Sequence, residues 1–89
     1  MKLSGQTASI LVGGRCAARL GRWRLEGGPS EGWSVEGDVL EVNTVWLESG
    51  YALELRLDVG TKRWCWREVS AERNGNQITV TGAGAPEVK

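Results

Sequence analysis

Cys16 and Cys65 are the only thiols in the chain, and no histidine is present to deprotonate either of them as a nucleophile. Trp64 and Trp66 flank Cys65, which suits a packed thiol better than a reactive one. General acid and base work near neutral pH usually draws on histidine too, so carboxylates alone would have to carry it. The 11 acidic side chains alternate with apolar residues, as solvated acids on strands do. Two thiols without histidine are too few for a zinc site. Gly27, Gly28 and Gly32 cluster like a phosphate loop, but the strand, loop and helix order of such a loop is missing. The expectation is a protein that is not an enzyme, holds no metal and needs no cofactor.

The 5 tryptophans are the residues left that could do something, because phenylalanine is absent and Tyr51 is the only other aromatic. Trp23 lies between Arg22 and Arg24, while Trp64 and Trp66 lie among Lys62, Arg63 and Arg67. Arginine beside an aromatic on a sheet can hold single-stranded nucleic acid, with bases stacked on rings and cations on the backbone. That use would fall to Arg22, Trp23, Arg24, Trp64 and Arg67. The competing use is packing: Trp23, Trp33 and Trp46 fill a core short of other large side chains, and arginines cover ring faces at its rim. Trp64 and Trp66 alternate with Cys65 and cannot share its strand face. With Cys65, Val69 and Ala71 inward, the two rings point outward together, as at a protein interface. Arg63, Trp64, Trp66 and Arg67 are therefore the expected subunit contact.

Period-two alternation supplies the elements that would position these groups. From Tyr51 to Val59, the residues Tyr51, Leu53, Leu55, Leu57 and Val59 share one face, and Ala52, Glu54, Arg56 and Asp58 the other. Val39 to Glu48 reads as the preceding strand of a hairpin turned at Glu48, Ser49 and Gly50. After Gly60 and Thr61, a strand from Lys62 to about Arg73 leads to the Asn74-Gly75-Asn76 turn and a return through Ile78 and Val80. Near the N-terminus, Ala8–Val12 and Arg15–Leu25 flank a Gly13-Gly14 turn. The inward set there is Cys16, Ala18 and Leu20, then Trp23 and Leu25, so a bulge is expected at Gly21. Gly27 to Gly32 is a loop, Trp33–Val35 a short strand, and Glu36-Gly37-Asp38 another turn. No segment has helical periodicity.

The 89 residues suffice for one core, giving a single β domain over 1–82 and a flexible tail over 83–89. The fold class is all-β, antiparallel, with about seven strands in a sandwich or a small barrel. Cys16, Trp33 and Cys65 invite comparison with an immunoglobulin core, but the tyrosine expected two residues before the second cysteine is Arg63. Free, buried thiols are expected, with a Cys16–Cys65 disulfide as the alternative.

The 11 basic and 11 acidic side chains cancel, which removes general attraction to nucleic acid or to a membrane surface. Their order is uneven. Arg15, Arg19, Arg22 and Arg24 come first, acids dominate from Glu26 to Asp58, and Lys62, Arg63, Arg67 and Arg73 follow. Such blocks suggest opposed faces or ends of a small domain. No apolar run approaches the roughly 20 residues that span a bilayer, and no secretion signal is apparent, so a soluble protein is expected.

The segment Ser4-Gly5-Gln6-Thr7-Ala8-Ser9-Ile10-Leu11-Val12-Gly13-Gly14-Arg15, continued by Ala17 to Gly21 and Arg22-Trp23-Arg24-Leu25-Glu26, resembles the start of bacteriophage tail tube proteins. In that family a first strand ends in a Gly-Gly-type hairpin, and the second leads to a Trp-Ser-Leu-like segment. Arg24 stands here in place of the serine. The resemblance implies a β-sandwich subunit that forms rings, or a related virion component such as a tail terminator, an adaptor or a capsid decoration protein. It implies homo-oligomers or virion partners, in the virion after assembly in the host cytoplasm. The alternatives are single-stranded nucleic-acid binding and an inhibitor that docks on one protein.

Overall fold

In a computed structural model that describes residues 2–28, 32–48 and 50–88, the chain forms seven strands and one short helix. They are β1 (Lys2–Val12), β2 (Arg15–Gly28), β3 (Gly32–Val42), α1 (Thr44–Leu47), β4 (Leu53–Val59), β5 (Lys62–Asn74), β6 (Gln77–Gly82) and β7 (Glu87–Val88). All pairings are antiparallel, in the order β4-β1-β2-β3-β6-β5-β7, and β4 also pairs with β5. Six strands thus close into a small barrel, and β7 is an extra strand on β5. Partners leading from Lys2 through Glu26, Ser34, Thr81 and Ser70 arrive at the Leu53 end of β4, beside Leu11. This stagger of about ten residues along β1 tilts the strands steeply and closes the ring on packed side chains.

Alternation places the core. Ile10, Leu20, Leu25, Val35, Leu55, Leu57, Ile78 and Val80 are fully buried inside the ring. Trp23 joins them at 0% exposure. Gly5 faces it across β1 and β2, and a Cβ on Gly5 would lie 2.6 Å from the indole. Only glycine leaves room for the ring, whose Nε1 donates to the Thr7 carbonyl at 3.0 Å.

Four register shifts interrupt the ladders; one, between Arg19 and Leu20, skips Leu40, and the other three decide which side chains enter. The expected slip near Gly21 is present: the β2–β3 register shifts between Gly21 and Arg24, Arg22 takes φ 48°, and the buried set passes from Ala18 and Leu20 to Trp23 and Leu25. A second slip lies between Ile10 and Leu11, and it leaves Cys16 exposed and Ala17 buried, against the expected inward Cys16. The third, between Leu53 and Glu54, faces Glu68, which adopts φ 58°. Past it the parity of β5 reverses, so Trp64 and Trp66 share the inner face with Val69 and Ala71. The outward aromatic pair expected from alternation does not exist. Trp66 is 5% exposed and packs on Trp33, with centroids 4.5 Å apart at 37°. Trp64 is half-buried and meets Trp66 edge-on at 6.1 Å. Cys65 is buried, and both cysteines are free, which removes the disulfide.

Two expected hairpins are absent. Strand β3 runs unbroken through Glu36-Gly37-Asp38, where Gly37 lies so close to Leu20 that a Cβ would meet its Cβ at 3.0 Å. Val39 begins no new strand, and beyond Val42 the chain turns into α1 instead of pairing with β4. Tyr51 precedes β4 and is exposed. The turns at Gly13–Gly14, Gly60–Thr61 and Gly75–Asn76 fall where expected. Pro29, Ser30 and Glu31 of the 27–32 loop, Ser49 of the expected turn and Lys89 of the tail lie outside the described residues. Residues 84–88 of the tail expected over 83–89 return to the barrel. Trp66 Nε1 donates to the Gly84 carbonyl at 3.1 Å, and β7 pairs with Trp64 and Cys65.

Candidate functional site

The arginines show first what the surface does not offer. Arg19, Arg22 and Arg24 on β2 face Glu41, Asp38 and Glu36 on β3, because the two strands are antiparallel neighbours. The basic and acidic blocks of the sequence therefore meet across one ladder and do not form opposed ends. Arg22 Nε donates to Asp38 at 2.8 Å, and Gln77 also donates to that carboxylate at 3.5 Å. Hydrogen bonds from Arg22 and then Gln77 hold the Asp38 carboxyl below the usual carboxylate range. Elsewhere Arg56 pairs with Glu54, Arg63 with Asp58 and Arg67 with Glu87, while Arg73 donates to the Gly75 carbonyl.

These positions bear on both expected site sets. Arg22 and Arg24 line a polar groove of about 570 Å³ with Ser4, Gln6, Asp38 and Gln77, and Trp23 is its floor. A base cannot stack on Trp23, whose ring is enclosed, and the two guanidiniums are committed to acids. Trp64 and Arg67 lie on opposite faces of β5 and make no common platform with them. The contact expected at Arg63, Trp64, Trp66 and Arg67 is split in the same way. Its arginines lie outside in ion pairs and its tryptophans lie against the core.

A different surface gathers apolar groups at one end of the barrel. Val12 closes β1, the Gly13–Gly14 turn follows, and Arg15 opens β2. The Asn43 N–H donates to the Ala17 carbonyl at 2.8 Å, which ties the start of α1 to β2. The Asn43 side chain then caps the helix by accepting from the Trp46 N–H at 3.2 Å. This arrangement sets the Trp46 ring under the Arg15 guanidinium, 5.7 Å from its centroid. Val12, Arg15, Trp46, Tyr51 and Ala52 line a cleft, again of about 570 Å³, without an acid among the described lining residues. Val45 on α1 is 79% exposed and Tyr51 68% exposed. Val45 falls in the Val39–Glu48 segment that alternation assigns to a strand, and Tyr51 shares the apolar face of the next, so neither stands out in the sequence. Asn43 before Thr44 was the one local signal, a helix cap too close to a four-residue element to register as periodicity.

No cluster of three or more histidine, cysteine or acidic side chains that could hold a metal ion occurs among the described residues. None of their helices is long and apolar enough to cross a membrane. No family model matches the chain, and neither the curated proteins nor the solved structures contain a significant match to it.

Proposed function

We propose that this chain is a non-enzymatic structural and assembly protein of the phage virion class that its N-terminal segment resembles, and that it docks through the apolar end of the barrel. One observation carries the docking reading: Val45 and Tyr51 stand exposed beside the Trp46 cleft, while most other large apolar side chains are enclosed. Exposed aromatic and aliphatic groups around a concavity favour a protein partner. The virion assignment rests on the resemblance of the first 26 residues. Its partners are then further copies of the chain or other tail and capsid proteins.

Light scattering and electron microscopy of the purified chain, alone and mixed with phage particles, test this. The expected result is assemblies or particle-bound copies that Val45→Asp abolishes. A strictly monomeric chain that binds no capsid or tail component overturns the reading.

A further inference from the structure

We infer that the edge of β5 at Trp64 and Cys65 is a strand-acceptor site, and that within an assembly it takes the C-terminal segment of a neighbouring copy in place of its own. This rests on the reading that the chain assembles with its own copies, and it adds a contact that shares no lining residue with the barrel-end cleft. What fits the edge is visible in the fold. Strand β6 pairs with Ser70 to Asn74 of β5, and β7 takes up the same edge again at Trp64 and Cys65, on the side away from β4. No residue from Gly82 to Pro86 pairs with β5, and Gly84 turns the chain at φ 92°. Little holds the segment to its own barrel. Its polar ties among the described residues are two ladder pairs, the Gly84 carbonyl on the Trp66 indole and an Arg67–Glu87 contact of 3.8 Å. No residue from Ala83 to Val88 is buried, so the apolar burial that locks the other strands is missing.

The place the segment covers has the opposite character. Trp33 and Trp66 are each 5% exposed, and the Trp66 indole N–H needs the acceptor that Gly84 supplies. The edge therefore demands an occupant, while the residues that occupy it are weakly committed. The second indole decides which copy serves it better. Trp33 Nε1 is buried and has no hydrogen-bond partner among the described residues. Gly82 lies over Cζ2 and Cε2 of that ring, the atoms beside Nε1, so close that a Cβ would stand 2.6 Å from Cζ2. The chain's own segment leaves from this point, tethered by the pairing of Gly82 with Trp33, and passes without answering the N–H. A segment arriving from a second copy carries no such tether and can set a carbonyl there, which removes the cost of an unmatched buried donor. Dilute chains keep their own segment, because the tether raises its local concentration, and exchange sets in with assembly. Each copy brings one acceptor edge and one donor segment, so the exchange closes into a reciprocal pair or a ring.

Disulfide trapping in the full chain tests the exchange. Glu87 is the ladder partner of Cys65, and the Cα separation of about 4.5–5.5 Å between such partners suits a disulfide. Glu87→Cys in a Cys16→Ser background therefore places a thiol opposite Cys65, at two exposed positions, and a thermal melt verifies that the variant folds. The chain is oxidised over a range of concentrations, run on a non-reducing gel, and each link is assigned by peptide mapping. The expected result is an intrachain link in dilute solution and a shift to two or more chain masses as the chain assembles, with Cys65 of one copy joined to the introduced thiol of another. Links confined to one chain at every concentration overturn the inference, as do links that join only two introduced thiols, or none at all. Assemblies that Val45→Asp abolishes, in which every link is intrachain, overturn the exchange while the docking function stands.

Discussion

Two clefts of the same volume, about 570 Å³, lie on this barrel and are chemically opposite. The groove over β1–β3 is rich in cations, yet its arginines already face the acids of the neighbouring strand. The cleft at the barrel end holds one arginine, placed over a tryptophan and in no ion pair with a carboxylate among the described residues. The difference teaches that the count of charged groups says little about where a surface can bind. What matters is whether each group has been answered from within the chain.

The contrast breaks most visibly at the floor of the polar groove. Trp23→Ala is expected to cost about 3–5 kcal/mol, read as a loss of unfolding free energy in urea, because the ring fills the interior and its indole N–H is satisfied. A smaller change comes at the bulge that turns Trp64 and Trp66 away from the surface. Glu68→Gly is expected to raise stability by about 0.5–1 kcal/mol, since glycine holds the left-handed conformation without steric cost. The same denaturation curve measures it.

Arg24→Gln, which removes one exposed rung of the ladder, should lower stability by about 0.2–1 kcal/mol and leave association unchanged. At the barrel end the outcome reverses. Val45→Asp should move stability by less than about 0.5 kcal/mol while disrupting association. The weakest effect is the acid response of Asp38. Its folded carboxyl titrates below its unfolded value of about 4, so its contribution is complete above that pH and fades as pH falls through the folded value. Asp38→Asn should flatten this part of the stability profile, measured by denaturation across the acid range.

Much of the barrel could be read directly. Leu53, Leu55 and Leu57 announced β4 by strict alternation, and Asn74-Gly75 announced its turn by composition. The bulge in β2 was legible because Gly21 and a shift in apolar parity coincide there. The bulge in β5 was not, because Glu68 is a residue type with no preference for positive φ. One hidden residue therefore reversed the faces of Trp64 and Trp66 and misplaced the expected contact. Gly37 misled in the other direction: it looked like a turn, yet it serves close packing against Leu20 within a continuous strand. The barrel-end cleft draws Val12, Arg15, Trp46 and Tyr51 from distant parts of the sequence, and no local pattern joins residues that only closure and α1 bring together.

The Trp33 and Trp66 rings have a consequence for spectroscopy. They connect the start of β3 to the middle of β5, and the Gly84 carbonyl fixes the second indole. Two indoles held 4.5 Å apart at a fixed tilt couple their electronic transitions, which gives a circular dichroism signal that depends on their mutual orientation. The chain thus carries a label-free optical gauge of its own seam. Loosening of the C-terminal segment should register there before the strands themselves are lost.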